Sequence, residues 1–400
     1  MLDIDRLRAD PEAVRRALAR RGQDAPISQV LQLDARRRAL QQEGDDLRAK
    51  RNTVSREIGR SRPPDPALVK EMRGVSDRIK SLEAESRQVA EDIRTALLEI
   101  PNLPRSEVPA GLDESHNVVI KTVGEPEKAD FDARPHWELG ERLGIIDLAA
   151  GARISGSRFY ALSGKGARLQ RALVSWMLDV HTTEHGYTEL YLPYLVGTAT
   201  VTGSGHLPKF ADTMYRDEED DLWLIPTAEV PITGMFSGRI LDPGVVPADF
   251  VAHTPCFRRE KAAAGQDTRG IKRVHQFDKV EMYKFVHPAD SDSELDYLVS
   301  DAEDLIRRLQ LPYRVVELSA GDLGFSAVRT FDLEVWAPAS GEWLEVSSCS
   351  NCDDFQARRA NVRYRPERGA RPVYPHTLNG SGLALPRVLI AILEGGSLPA

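Results

Sequence analysis

Two tracts of heptad spacing, separated by a cluster of prolines, limit what the first hundred residues can fold into. Leu33, Leu40, Leu47 and Val54 recur every seven residues, and Ile58 joins them at the end. In the second tract Leu68, Val75, Leu82, Val89 and Ala96 interleave with Met72, Ile79, Ser86, Ile93 and Ile100, and Ser86 alone is polar. Such spacing keeps an apolar seam along one side of a helix. Between the tracts, "SRPPDP" carries Pro63, Pro64 and Pro66, and proline in a helix interior removes a hydrogen bond and clashes with the preceding turn. The expectation is an antiparallel coiled-coil hairpin over about 28–100, two helices of about 30 residues and about 45–50 Å long. Ahead of it, Asp10 as cap, Pro11 as first helical residue, a stripe of Val14, Ala17 and Leu18, and Gly22 as stop predict one short helix.

The turn end of this hairpin is basic. Arg48, Lys50, Arg51, Arg56, Arg60 and Arg62 stand there against Glu57 alone. A solvated, salt-bridged face is one reading, but it needs more acids. The concentration of charge favours a phosphate-binding arm with Arg48, Lys50, Arg51, Arg56 and Arg60 as its nucleic-acid contacts. The formal net charge of the chain is −8, which argues against coating by nucleic acid and leaves a local basic surface open. No apolar run approaches the roughly 18 residues of a membrane span. The acidic start "MLDIDRLRAD" opposes a signal peptide, and three cysteines (Cys256, Cys349, Cys352) fit a reducing compartment, so a cytoplasmic location is expected.

Residues 101–125, rich in proline and turn formers, read as a linker. Beyond about 130, helical stretches near 167–185, 291–310 and 386–394 alternate with short strands such as "RVVEL" and "WLEVSS". That texture predicts an α+β body on a mainly antiparallel sheet flanked by helices. Neither G-x-G-x-x-G after a strand nor G-x-x-x-x-G-K-[ST] occurs, which disfavours Rossmann and P-loop sites.

"FRRE" at 257–260, a small-residue loop and "VHQFDKVEMYKF" at 274–285 read as a β-hairpin. Phe277, Lys279, Glu281, Tyr283 and Phe285 then share one face, with Arg258 and Glu260 on one strand face opposite Phe277. Phe277 and Glu281 would lie roughly 13 Å apart, at about 3.3 Å per residue. An elongated ligand with a flat end and a cationic end suits that distance. "HGYTELYLPYLV" (185–196) is a weak signal alone, while "LNGSGLALPRVLIAILE" (378–394) sets Arg387 beside Pro386 at a helix start.

This order of motifs resembles the class II aminoacyl-tRNA synthetases. Together with "PTAEVPI" (226–232), "VSSCSNCDDFQARRANVRYR" (346–365) and the hairpin, it resembles seryl-tRNA synthetases of the bacterial type over residues 2–394. The resemblance implies an N-terminal tRNA-binding domain over 1–110 and a catalytic domain over 111–400. Motif 1 would fall at 180–196, motif 2 at 251–285 and motif 3 at 378–394, with a homodimer formed through the region of Pro193. It implies serine–tRNA ligation: serine and ATP give seryl-adenylate and pyrophosphate, and serine passes to the 3′ end of tRNA(Ser), extending to tRNA(Sec). By that resemblance Arg258 bridges the α-phosphate and the serine carboxylate, Arg387 grips the outer phosphates, and the two arginines carry catalysis. Phe277 stacks with Arg387 around adenine, and Arg259, Glu260, Val274, Val346 and Ser347 complete the ATP site. Glu345 and Ser348 hold Mg²⁺, while Thr227, Ala228, Glu229, Glu281 and Ser381 line the serine pocket with Arg258.

Residue chemistry is consistent with those roles. Attack on an α-phosphate needs alignment of two anions and neutralisation of growing charge, which fixed arginines and a metal ion provide. A pocket that hydrogen-bonds the serine hydroxyl could reject alanine by ~10⁴–10⁵. His275 is read as a packed strand residue. Cys349-Ser-Asn-Cys352 lacks the further ligands zinc requires, so no zinc is expected, unlike the zinc-dependent seryl enzymes of some archaea. Two departures from the family stand out: the loop "KAAAGQDT" (261–268), where a "GSAGRDT"-like run is more usual, and an end at "EGGSLPA" without a further tail. Three rivals keep parts of the pattern: a ligase charging a carrier protein, a non-catalytic RNA-binding paralogue, and a duplicate resistant to an adenylate-mimicking antibiotic.

Overall fold

The computed structural model describes residues 1–60, 65–126, 133–261 and 269–395, and the chain divides into two compact units. One unit comprises Leu2–Arg16 and Asp24–Ile100; the other comprises Met1, Ala17–Gln23 and Pro101–Ala400. Arg62, Pro63 and Pro64, most of the 261–268 loop, and the last five residues lie outside the described residues.

The chain starts with a helix that the sequence pattern does not announce, α1 (Ile4–Ala9), whose Asp3 cap accepts the Asp5 N–H at 2.9 Å. Only Leu7 of α1 is buried, too little for a periodic signal. Helix α2 (Pro11–Arg20) begins as expected, with Asp10 accepting the Ala13 N–H at 2.8 Å, and Gly22 ends it at φ +63°. Then come α3 (Ile27–Arg60, 34 residues) and α4 (Pro66–Leu98, 33 residues), the latter capped by Asp65. Along α4 the seam from Met72 to Ala96 is buried except at Ser86, through which the helix runs unbroken. Met72, Val75 and Ile79 pack against Leu47, Val54 and Ile58.

Beside its seam, α3 buries a charge against α1. Asp34 is fully buried, and Arg8 donates to it at 2.6 and 2.7 Å, with Arg37 and Arg38 at 3.0 and 3.2 Å. Hydrogen bonds from Arg8 hold its carboxyl below the usual range, which is how a carboxylate can sit where water cannot reach. The acid count at the hairpin end is also corrected. Arg48 pairs with Glu83 (2.9 Å) as well as Asp45, and Lys50 with Glu71 (2.7 Å), so α4 supplies acids that a reading of 48–62 alone misses. Arg51, Arg56 and Arg60 have no acidic partner among the described residues.

The second unit is built on an eight-stranded sheet: β1 (Val118–Val123), β2 (Thr188–Glu189), β3 (Ala248–Phe257), β4 (Gln276–Val286), β5 (Tyr313–Glu317), β6 (Arg329–Ala337), β7 (Glu342–Asn351) and β8 (His376–Ala384). Their order is β1-β5-β6-β7-β8-β4-β3-β2, antiparallel except for β2 against β3. Helices α5 (Lys165–Thr183), α7 (Ser291–Arg308) and α8 (Leu385–Gly395) contribute Met177, Leu298, Leu305, Val388 and Ile392 to the core on one side of the sheet, where Val280, Met282 and Leu333 face them. A short helix, α6 (Glu229–Met235), packs Ile232 against Tyr283 and Phe285 from the other side.

Residues 101–125 are not a free linker. Pro101–Pro104 are buried, Asn102 donates to the Ser326 and Cys352 carbonyls at 2.8 and 2.9 Å, and β1 forms the sheet's outermost strand. The prolines here shape a packed extended segment, a use of proline that composition cannot separate from a linker. The Arg21 guanidinium also binds the segment, donating to the carbonyls of Asn102 (2.9 Å), Ala327 (3.0 Å), Leu323 (2.7 Å) and Gly324 (2.7 Å). Burial pulls Arg21 down to about 10, so it remains charged at neutral pH. Arg21→Met strands the three buried carbonyls of Asn102, Leu323 and Ala327 and should lower stability by about 3 kcal/mol. An unchanged thermal midpoint would show that the segment does not depend on this cation.

Candidate active site

The β3–β4 hairpin forms the floor of the site. Its register sets Cys256 opposite Phe277, Thr254 opposite Lys279 and Ala252 opposite Glu281. Strand alternation turns Phe277, Lys279 and Glu281 into a cavity, while Tyr283 and Phe285 continue the same face into the apolar cluster under α6. Strand β3 stops at Phe257, so Arg258 and Glu260 lie beyond it rather than on a strand face. The Arg258 N–H still donates to His275 O at 2.9 Å, which carries its guanidinium over the Phe277 ring, 5.1 Å from the centroid. Arg258 is thus the cation over the Phe277 ring, and Arg387 lines the same cavity. Glu260 takes a left-handed backbone at φ +46° and faces Arg273 at 3.7 Å.

A cavity of about 320 Å³ brings together Thr227, Glu229, Arg258, Glu260, Val274, Phe277, Glu281, Glu345, Ser348, Ser381 and Arg387. Four expected residues stand outside its lining. Ala228 and Val346 are buried in apolar clusters. Ser347 lies behind the wall, its hydroxyl donating to the Ser381 carbonyl. Arg259 turns to the Met214 carbonyl at 2.8 Å, over the Tyr215 ring. His275 lies half-buried just before β4 rather than on a strand, with Nδ1 2.9 Å from Arg258 O and its ring against Phe159 and Tyr215. Cys349 and Cys352 are buried, and burial pushes the Cys349 thiol up to about 12.

Two register shifts assemble the walls. Between β6 and β7, Leu333 pairs with Ser347 and Glu334 with Glu345, so Val346 is an extra residue. Strict alternation would put Glu345 and Ser348 on opposite faces; the bulge puts both in the cavity. Between β4 and β8, Lys279 pairs with Ala384 and Glu281 with Ser381, which brings both Ser381 and Ala384 to the cavity. The polar lining residues that sequence reasoning left unassigned are Lys279, Lys272, Arg273, Asn379 and His206, beside the apolar Ala384 and Pro386. Lys279 and Asn379 had a signal, each two residues along a strand from an assigned neighbour. Lys272, Arg273 and His206 come from irregular segments and had none.

Charge in the cavity is dense and mostly paired. Arg387 donates to Glu345 at 3.0 Å, and Lys279 forms an ion pair with Glu281. Burial pulls Glu345 upward, but Arg387 outweighs it and holds the carboxyl below its ordinary value. Glu281 is raised, chiefly by burial. Glu229 accepts from Gln356 and from Asn379 (3.3 Å) and is pushed up to about 7 by burial and then by the charge of Glu281. Burial and the charge of Arg258 push His206 down to about 3, which keeps it neutral. The arrangement can take an elongated ligand, with carboxylates for a cationic group at Glu229 and Glu281, arginines for anions, and an aromatic face at Phe277.

Because Glu229 in the folded chain binds a proton up to about pH 7, against about 4.3 for a free glutamate, its contribution to stability is fully present below the lower value and is lost as pH rises through the upper one. Relative to Glu229→Gln, the unliganded wild type should lose thermal midpoint between those two values. A parallel pH dependence in both proteins would place the Glu229 proton elsewhere.

A profile for the seryl-tRNA synthetase N-terminal domain matches residues 1–104, and one for the tRNA synthetase class II core domain (G, H, P, S and T) matches residues 210–395. The chain is 58% identical over 401 residues to the serine–tRNA ligase of Thermomicrobium roseum, covering 100% of this chain and 90% of that protein. It is 57% identical over 397 residues to the serine–tRNA ligase of a Roseiflexus species, covering 98% and 93%. Among solved structures, the seryl-tRNA synthetase of Pyrococcus horikoshii complexed with ATP superposes with a TM-score of 0.93 at 38% identity, covering 98% of this chain and 94% of that one.

Proposed function

The chain belongs to the seryl-tRNA synthetases of class II and is a serine–tRNA ligase, and from that membership we propose how its residues divide the reaction. Serine lies with its ammonium between Glu229 and Glu281 and its hydroxyl among Thr227 and Ser381. Its carboxylate and the α-phosphate of ATP both meet Arg258. Adenine lies along Phe277 and Val274, and the outer phosphates meet Arg387 and the basic wall of Lys272 and Arg273. The observation that carries this reading is Arg258, fixed 5.1 Å over Phe277 in the same cavity as Glu281 and Arg387. The ATP bound by the Pyrococcus relative supports the choice of nucleotide.

A serine carboxylate oxygen attacks the α-phosphorus while the bond to the pyrophosphate oxygen breaks, giving seryl-adenylate. A ribose hydroxyl at the 3′ end of tRNA then attacks the seryl carbonyl, the acyl–phosphate bond breaks, and AMP leaves together with the hydroxyl proton. The protein's part is alignment and neutralisation by arginines set in place beforehand, and no side chain need take a proton. Lys279 offsets the repulsion between the two buried carboxylates. The Glu345 carboxylate and Ser348 hydroxyl, brought to one side by the bulge, would hold Mg²⁺. The cross-strand neighbour of Ser348, Asp332, leaves Oδ1 buried with no hydrogen-bond partner among the described residues, which suits a nearby cation. When bound, Mg²⁺ would supply further neutralisation of phosphate charge, and it needs only one or two protein oxygens beside those of the phosphates.

The acceptors are tRNA(Ser) and, as a second one, tRNA(Sec), held by backbone contacts from the helical hairpin. The inter-helical ion pairs of Arg48 and Lys50 make Arg51, Arg56 and Arg60 the stronger candidates. A homodimer through the 188–195 region is supported by Tyr191, 90% exposed, and by the exposed Leu195. A cytoplasmic site of action follows from the reaction. Among the described residues no helix is long and apolar enough to cross a membrane.

Serine alone among twenty amino acids should support ATP–pyrophosphate exchange without tRNA, and Arg258→Ala should cut it by about 10²–10³. Exchange with a different amino acid, or near-normal turnover of the variant, would refute the assignment. In the triple variant Arg51→Ala/Arg56→Ala/Arg60→Ala, exchange should persist while charging of tRNA falls and the salt dependence of tRNA affinity shallows by about one unit of slope per arginine. An unaltered slope would remove these three from the tRNA contact.

A further inference from the structure

One wall of the cavity is anchored by a buried pair outside it. His136 opens the helix His136–Arg142 and Glu394 lies in the last turn of α8; their side chains are 3% and 0% exposed. Glu394 accepts the His136 backbone N–H at 3.0 Å and its ring Nδ1–H at 2.9 Å, and also the Ser340 N–H and hydroxyl, each at 3.1 Å. The other ring nitrogen, Nε2, accepts the Ile271 N–H at 3.1 Å. With a carboxylate on one side and an N–H donor on the other, these partners define a single neutral tautomer.

The contact has a steric requirement. Gly270 has φ +74°, and a Cβ there would lie 2.0 Å from His136 Nε2, so only glycine lets the chain approach the ring. Ile271 itself is fully buried. From this fixed point the chain runs directly through Lys272, Arg273 and Val274, all of which line the cavity. Glu394 follows Arg387 by seven residues, two helical turns, so both leave the same side of α8. That helix therefore reaches the cavity directly through Arg387 and, at its far end, holds the opposing wall through Glu394, His136 and Ile271.

We propose that the Glu394–His136 pair positions the ATP half of the site by holding residues 270–274 at a set distance from Arg387. The inference rests on the reading of this cavity as the ATP and serine site. It makes the pair a positioning device that touches no substrate and acts through the Ile271 N–H. Thr227, Glu229, Glu281 and Ser381 stand on α6, its approach, β4 and β8, none of which bonds to the pair, so the serine half keeps its geometry when the pair is lost.

The test is pyrophosphate exchange by the full chain with His136→Phe/Glu394→Leu, which keeps volume, removes both polar partners together and orphans no charge. KM for ATP should rise about tenfold, short of the hundredfold that a 1 Å misplacement can cost, with KM for serine held within about twofold. Hydrogen exchange should speed up over 269–274 and stay unchanged over β4. Should the double variant fail to fold, Glu394→Gln, which keeps an oxygen for His136 but sets an NH₂ against the Ser340 donors, should move KM for ATP in the same direction by about threefold. An unchanged KM for ATP in a folded variant, or an equal rise in both KM values, would overturn the proposal. Wild-type exchange that does not respond to serine would overturn the reading of the site itself, so the two failures are distinguishable.

Discussion

The ion pairs inside the cavity are the constraint on which the rest of the second unit depends. Glu345 stands with Arg387, Glu281 with Lys279, and Glu260 with Arg273. Glu281 and Lys279, both buried, would each be expensive to hold alone away from water, whereas the Arg387–Glu345 and Arg273–Glu260 pairs are part-exposed and cost less to bury. Pairing lowers the cost, and the three pairs fix where β4, β7, α8 and the turn after β3 come together. Glu229 is the exception: with neutral amides as neighbours, it meets burial by keeping its proton to higher pH. The cavity is therefore shaped by electrostatic complementarity before any ligand enters, which suits chemistry in which placed charge does most of the work.

Much of this was legible in the sequence because it follows from period and punctuation. The seam of α4, the proline break, the Asp10 cap and the alternation from Phe277 to Phe285 depend on spacing along one element, and spacing is what a sequence displays directly. The fold class followed from the succession of helical stretches and short strands, and the face of Phe277, Lys279 and Glu281 from strand alternation. The other assigned cavity residues stand on helices, turns and bulged strands, and only the resemblance to the family pointed to them.

The unread part depends on partners far away in the chain. Asp34 looks like a surface residue of a helix until Arg8, 26 positions earlier, is beside it. The acids that neutralise Arg48 and Lys50 come from the antiparallel helix. The 101–125 segment resembles a linker by composition, and its buried start, Pro101–Pro104, is held by hydrogen bonds from Asn102 to the Ser326 and Cys352 carbonyls and from Arg21 to Asn102. Arg259 sits in the same short string as Arg258, yet the end of β3 sends the two side chains to different places. None of these leaves a local mark.

The bulge at Val346 gives β7 a property of a different kind. A regular strand has parity: odd and even positions belong to opposite faces for its whole length. Val346 resets that parity in mid-strand, so Glu345 obeys one count and Ser348 the other. The cavity side of β7 is thus addressed by two numbering schemes joined at one residue. A chain shortened by that residue would keep its composition, hydrophobicity and strand propensity almost intact. It would nonetheless exchange inside for outside along everything on one side of the join. Residue count, rather than residue identity, is what selection has to guard at this position.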